Sequence, residues 1–511
     1  MRKSDLWLLG PRLMLSRARQ WRPPDSDQAL AMLGPGPQSA AIEALRRACF
    51  AGQKVNRSEN RAAGHWALRL AGIEHPPPGL PTSFAPDGND LMPRMRQVHE
   101  RSREIADQIC AGQWKTSSGK ACTDIVHLGI GGSDTGPHLL INALSSIRTP
   151  TAISTHFCPN LDAHALMRCL ARLDPTQTLV IVVSKSFSTL ETLSNAEHCL
   201  SWMKSTGIAA PQENFLAVTA RPDKAAQWGI AQTHTLWFDE SIGGRFSLWG
   251  PVSLTARIAL GNTVVDQVVE GGVEMDAHFL GTPLERNLPV LLAASDFHNL
   301  RNRSIPTLMV SAYDSRLDLL LPYLKQLWME SLGKHVDQDG NPLKGPACPI
   351  LWGDVGTNAQ HAFFQLLHQG GTPVAIDLIG VLNPDHHATP SHQAVLANLI
   401  AQAQALSIGQ QDADPQKSCL GGHPVNLIML DRLDGRGLGS LIALWEHRVV
   451  CLAALSNVNP FDQWGVELGK RIARTATEAL DSRQTRSPSG TLDPTSQAII
   501  ETLRQNDLKT D

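Results

Sequence analysis

The chain has 511 residues, 42% of them hydrophobic and 18% charged, which is room for several domains at ~150 residues each. Its 45 basic and 48 acidic side chains leave a formal charge of −3, so no global field draws it to nucleic acid or to a membrane surface. Nine cysteines with no C-x-x-C pair and no Cys/His ligand spacing read as reduced thiols in a cytoplasm, most of them core fillers.

The first run, "MRKSDLWLLGPRLMLSR", starts basic, but its apolar stretch Leu6–Leu9 stops at Gly10-Pro11, shorter than the ~7–15 residues of a signal-peptide core. No stretch approaches the ~18 consecutive apolar residues of a membrane span, so a cytoplasmic protein that engages no membrane is expected. Residues 25–73 read as helices broken at Gly34–Pro37, with "AAIEALRRACFAG" at helical spacing and stopped by Gly52. "EHPPPGLPTSFAPDGND" (Glu74–Asp90) is a Pro/Gly-rich connector.

Beyond it the style changes. "DIVHLGIGGSD" is a short apolar strand running into glycines, and "QTLVIVVSKSFST" is one running into hydroxyls. Further strands are read in "LPVLLAAS", "PTLMVSAY", "CPILWGD" and "TPVAIDLIG", with helical stretches between. Buried strands alternating with helices argue for parallel sheets covered on both faces, with ligands held beyond the carboxyl ends of the strands. A linker, Arg483–Ser496, leads to a last short helix in "QAIIETLRQND".

Several strand ends carry chemistry. "GIGGSD" (Gly129–Asp134) is a glycine turn able to form an anion nest, but it matches neither the dinucleotide fingerprint nor the P-loop, and a plain tight turn is the alternative. "SKSFSTLET" (Ser184–Thr192) places four hydroxyls between a strand and a helix start, where one would suffice for a cap, with Ser188 and Glu191 at capping-box spacing. Free N–H groups with surplus hydroxyls suit a phosphate monoester, and Lys185 either adds charge or points to solvent. In "FDESIGGRFSLWG", Arg245 follows two glycines, where a guanidinium can meet an oxyanion or lie at the surface. Asp354, in "WGDVGTNAQHAFFQLLHQG", is a lone carboxylate between glycines and suits a general base. "MESLGK" (Met329–Lys334) reads as a helix end with Gly333 as C-cap. "NPFDQWGVELGKRIA" puts Gln463 two turns before Lys470 if it is helical, so both share one face. "NPDHHATPSHQ" offers His386, His387 and His392 for proton transfer; the spacing gives no support for a metal site.

Taken in order, these segments resemble the signature blocks of the glucose-6-phosphate isomerase family: "GIGGSDTGP", "SKSFSTLETLSNA", "IGGRFSLWG", "MESLGK", "WGDVGTNAQHAFFQLLHQG" and "FDQWGVELGK". "AGQKVNRSENRAAGHWALR" (Ala51–Arg69) is similar to an N-terminal block. The resemblance implies an aldose–ketose isomerase that interconverts glucose 6-phosphate and fructose 6-phosphate through a cis-enediol, a reversible step of glycolysis and gluconeogenesis, with no metal or organic cofactor. For the fold it implies two α/β/α sugar-isomerase domains with parallel sheets, over 95–262 and 263–482. They follow an N-terminal helical segment over 1–94 and precede a linker and C-terminal helix over 483–511. It also implies a homodimer in which a histidine crosses the interface.

Residue by residue, the resemblance gives Ser133, Ser184, Lys185, Ser186 and Thr189 the sugar phosphate. It gives Gly244 and Arg245 the enediolate, Gln463 a substrate contact, and Lys470 with a histidine the opening of the ring. Asp354 takes the place of the family's carboxylate base, which is a glutamate there. One methylene fewer withdraws the carboxylate by ~1 Å, a misplacement able to cost on the order of 100-fold in rate. Counting from His368, the family's histidine falls on Asp385, so a shift of one makes His386 the candidate, with His387 behind it. The aspartate motivates a rival expectation, a weakly active or non-catalytic sugar-phosphate-binding protein. A glucosamine-6-phosphate-forming amidotransferase is disfavoured, because it needs an N-terminal cysteine and this chain starts Met1-Arg2-Lys3.

Overall fold

A computed structural model describes residues 7–20, 31–147, 152–480 and 492–505. The basic start, residues 25–30 of the helical reading and the greater part of the linker fall outside these residues. The chain divides into two compact units, Met1–Pro460 and Phe461–Asp511.

The first unit opens on strands, although its N-terminal segment is expected to be helical. Strand β1 (Leu8–Gly10) pairs antiparallel with β2 (Leu13–Arg19). The turn of this hairpin is Pro11-Arg12, one residue past the Gly10 where the apolar run reads as ending, and Arg12 takes φ +60° to close it. Helices α1 (Pro37–Phe50) and α2 (His65–Ala71) follow.

The first sheet is wholly parallel, in the order β4-β3-β5-β6-β7: β3 (Asp124–Leu128), β4 (Ser154–Phe157), β5 (Thr178–Val183), β6 (Phe215–Thr219) and β7 (Thr235–Trp237). Every residue of β5 is buried, as a central strand covered on both faces requires. Helix α3 (Thr135–Leu144) leaves the end of β3, and α4 (Leu190–Ser205) leaves the end of β5. Next come α5 (Asn262–Gly281) and α6 (Leu288–Arg301).

Helix α6 corrects the strand read in "LPVLLAAS". It is buried on nearly every side, from Leu288 through Asp296, so its apolar run has no 3.6-residue period to betray a helix. Asn287 at the N-cap and Pro289 in the first turn are the local signals, since asparagine favours a cap and a proline there costs no hydrogen bond.

The second sheet has the order β1-β2-β11-β10-β8-β9, with β8 (Thr307–Ala312), β9 (Ile350–Val355), β10 (Ala375–Val381) and β11 (Val425–Leu430) parallel and the N-terminal hairpin antiparallel on one edge. Helices α7 (Leu320–Leu332), α8 (Thr389–Ile408) and α9 (Gly435–Ser456) belong with it. Helix α9 is long and apolar enough to cross a membrane, yet it runs through the interior of this unit, packed by α1, α5, α6 and α7. The second unit consists of α10 (Glu467–Leu480) and α11 (Pro494–Gln505), packed on each other.

Candidate active site

At the carboxyl end of β3 the glycine turn lies directly on the turn that carries Arg245. A Cβ on Gly132 would stand 2.1 Å from the carbonyl carbon of Gly244, so only glycine allows the two backbones to meet. His127 pins the turn from below: its ring bonds the carbonyl of Ser133 and the hydroxyl of Thr255, each at 2.8 Å. Burial pushes this histidine down to about 4, so it is neutral.

Arg245 is not at the surface. Its guanidinium is buried and donates to Ser331 Oγ (2.7 Å), to Glu330 Oε2 (3.2 Å) and to the carbonyl of Pro460 (2.6 Å). Glu330 and Ser331 sit on the last turn of α7, so "MESLGK" is more than a helix end. The helix does stop at Leu332 with Gly333 as C-cap. A polar stripe at Tyr323, Gln326, Glu330 and Ser331 on a helix whose other residues, Lys325 aside, are apolar is the signal that would have found it.

At the end of β5, Ser184 Oγ lies 3.0 Å from Thr189 Oγ1, and Ser188 donates to Ser186 at 2.8 Å. The capping box read at Ser188 and Glu191 does not form: Thr189 is the N-cap of α4, with its hydroxyl turned to Ser184 and no side-chain cap made. Phe187 adopts φ +45° and is buried in the core, which folds the loop sharply and leaves Ser186 and Ser188 exposed. Lys185 donates to the carbonyls of Glu240 (2.7 Å) and Ile242 (2.8 Å), and burial pushes it down to about 8. The hydroxyl loop is thereby tied to the chain that leads into Gly244 and Arg245.

Asp354 is exposed near the carboxyl end of β9, paired in register with Ser311 of β8, and one of its oxygens accepts from the Val355 N–H at 2.7 Å. Strand β9 packs against α7, and Trp328 of that helix donates to the carbonyl of Pro349 just before the strand, at 3.0 Å. One helix therefore carries the grip on Arg245 and abuts the strand of Asp354. A hydroxyl-lined helix start, a buried cation and an exposed carboxylate are linked here at strand ends, parts able to hold a phosphate, meet an oxyanion and take a proton.

His386 and His387 are exposed in the loop after β10, and His386 Nδ1 accepts from the Ala388 N–H at 3.1 Å. This loop is anchored far from the glycine turn. Asp385 accepts from Ser146 (2.6 Å) and pairs with Arg316 (2.9 Å), and Ser146 lies past the far end of α3, whose ten residues span about 15 Å. In the second unit, Gln463 precedes a short turn at Trp464–Val466 and α10 begins only at Glu467, so Gln463 and Lys470 do not share a helix face. Lys470 is exposed and donates to Glu467 at 2.8 Å.

Residues 25–500 match the family described as phosphoglucose isomerase. The chain belongs to that family. It is 39% identical to glucose-6-phosphate isomerase 2 of Chromohalobacter salexigens over 97% of its own length and 91% of the relative's. It is 40% identical to the glucose-6-phosphate isomerase of Burkholderia mallei, over 90% of its own length and 85% of the relative's. The crystal structure of a glucose-6-phosphate isomerase from Chlamydia trachomatis superposes with a TM-score of 0.83 at 28% identity, covering 99% of this chain and 94% of that one. The chain is thus an enzyme of the phosphoglucose isomerase family, and the α/β architecture with parallel sheets is the one the resemblance implied.

Proposed function

We propose that this enzyme interconverts glucose 6-phosphate and fructose 6-phosphate by proton transfer through a cis-enediol. The supporting observation is the tie from Lys185 to the Glu240 and Ile242 carbonyls, which couples the hydroxyl loop to the Arg245 turn. In this reading Ser133, Ser184, Lys185, Ser186 and Thr189 grip the phosphate, and Asp354 moves the proton between C2 and C1. A proton α to a carbonyl is weakly acidic, so the base works only if a cation meets the oxyanion as it grows; Arg245, with Gly244 bringing the main chain close, takes that part. Lys470 and Gln463 keep the ring-opening and substrate-contact roles of the family, and no metal or organic cofactor is assigned.

We further propose a homodimer in which His386, or His387 behind it, completes the site of a second copy. Its anchorage at the far end of α3 argues against a role in its own chain's site. The helix after it, α8, has no Asp, Glu, Lys or Arg in twenty residues, yet exposes Ile400 (56%) and Ile408 (61%), an uncharged face suited to another copy. Five of the nine cysteines are buried and all are free thiols, in keeping with a cytoplasmic setting.

The test is a coupled assay of glucose 6-phosphate formation from fructose 6-phosphate, run on the wild type and Asp354→Ala together. Turnover in the wild type that the variant loses supports the proposal. Sugar-phosphate affinity without turnover in either would make the chain a binder instead.

A further inference from the structure

Behind the Arg245 turn lies a buried polar cluster to which the mechanism above gives no task. Glu330 and Ser331 stand seven and eight residues after Tyr323 on α7, so all three face one side of the helix. Glu330 and Ser331 take the guanidinium of Arg245. Tyr323 takes the main chain of the same residue: its hydroxyl donates to the Arg245 carbonyl at 3.2 Å.

The tyrosine is itself seated. Its hydroxyl lies 3.5 Å from Oε1 of Glu446 on α9, and that same oxygen accepts from Trp249 Nε1 at 2.9 Å. Trp249 closes the segment that Arg245 opens, so one carboxylate steadies both ends of the turn. Glu446 is held in turn by Arg69, which also grips Asp276 at 2.6 and 2.8 Å, and Asp276 bonds His447 at 2.7 Å. Tyr323, Glu446, Arg69, Asp276 and His447 are all buried, so each oxygen that lost its partner would be left dry.

We infer that Tyr323 is a positioning residue: seated by Glu446, its hydroxyl fixes the main chain of Arg245 so that the guanidinium stays where Glu330 and Ser331 hold it. This rests on the reading of Arg245 as the group that meets the enediolate. A displacement of 1 Å in such a group costs on the order of 100-fold in rate, while the phosphate grip keeps its own hydrogen bonds, Ser184 to Thr189 and Lys185 to the Glu240 and Ile242 carbonyls upstream of Arg245. The effect therefore falls on kcat and spares KM.

Tyr323→Phe and Arg245→Lys, assayed side by side, test it. Tyr323→Phe lowers kcat about tenfold, with KM for fructose 6-phosphate within about twofold of the wild type. If Arg245→Lys abolishes turnover and Tyr323→Phe leaves kcat unchanged, or raises KM in step with its loss, the positioning role falls and the reading of Arg245 stands. If Arg245→Lys turns over normally, the reading of Arg245 falls and takes this inference with it. Should Tyr323→Phe fail to fold, the two tyrosines of the chain, Tyr313 and Tyr323, offer a second route. In protein labelled with 3-fluorotyrosine, with the signals assigned through Tyr313→Phe, the Tyr323 fluorine resonance shifts in Arg245→Lys. A resonance that does not move overturns the proposal.

Discussion

Lys185 donates a hydrogen bond to the carbonyl of Ile242 across 2.8 Å, and this contact laces the end of one strand to the turn after another. The lysine is half-buried and hydrogen-bonded, so its proton has two consequences of opposite sign. Burial lowers it from the ordinary value of 10.5 to about 8. Between those values the unfolded chain binds the proton and the folded one does not, so this group's contribution to stability grows as pH rises through that window. Affinity for a phosphate runs the other way, because the ammonium is lost above about 8. The KM for fructose 6-phosphate is expected to rise several-fold between pH 7 and 9.5 in the wild type. In Lys185→Gln it is already high and flat. A wild-type KM that stays level through pH 8 removes Lys185 from the phosphate grip.

Asp354 has little freedom to make up for its short side chain. Its neighbour Gly353 takes φ +141°, and a Cβ there would lie 1.9 Å from the carbonyl oxygen of Val310, so the two strands are pressed together at this point. The pairing of Ser311 with Asp354 and of Ala312 with Val355 fixes the register on both sides. A backbone clamped in this way does not advance toward the substrate by the ~1 Å that a missing methylene withdraws. Asp354→Glu is therefore expected to raise kcat, by about ten- to a hundredfold if reach is the whole deficit. Asp354→Ala is expected to lower it by about 10²–10⁴, the usual contribution of a general base. Steady-state kinetics decide both, and a slower Asp354→Glu enzyme would mean that the loop already suits the aspartate.

How much of this was legible depended on whether a residue's job is local. The glycine turn, the hydroxyl loop and Asp354 each follow a short apolar strand, and their types announce their chemistry at the place where they stand. Tyr323, Glu446 and Arg69 announce nothing: their partners lie 78 to 377 residues away, and a tyrosine or an arginine in a helix looks the same whether buried or not. Helix α6 reads as a strand for a related reason: burial on nearly every side erases the periodicity that separates helix from strand. The opening hairpin is not legible because a Gly-Pro pair marks the end of an apolar run as readily as the approach to a turn between two strands. Gln463 and Lys470 share a helix face only if one helix carries both, and the helix starts four residues after Gln463.

Asp134 stands beside Ser133 in the glycine turn, 7% exposed, with its Oδ1 buried and without a hydrogen-bond partner. Burial pushes this carboxyl up to about 7. The sign follows: the folded state keeps a proton that the unfolded chain gives up near 3.8, so stability from this group is lost as pH rises from about 4 to about 7. Asp134→Asn removes the penalty. Its melting temperature is expected to exceed the wild type's by a few degrees at pH 8 and to match it more closely at pH 5. An equal difference at both pH values would mean that the carboxyl titrates in the ordinary range.

The proposed exchange of histidines between two copies has a consequence that only a mixture reveals. Suppose each site takes Asp354 from one chain and His386 from the other. Asp354→Ala and His386→Ala are then inactive as separate preparations, since both sites of each homodimer lack one group. In a hybrid of the two, one site lacks both groups and the other has both. Random reassortment makes half of the dimers hybrids, each with one of two sites intact, so activity returns to about one quarter of the wild type, as a symmetric dimer demands. Unfolding and refolding the two variants together, then assaying against each refolded alone, measures this directly. Ile400→Glu on the uncharged face of α8 is expected to block the reassortment and to give a monomer by light scattering. If the mixture stays as inactive as its parts while hybrids are shown to form, His386 acts within its own chain or not at all.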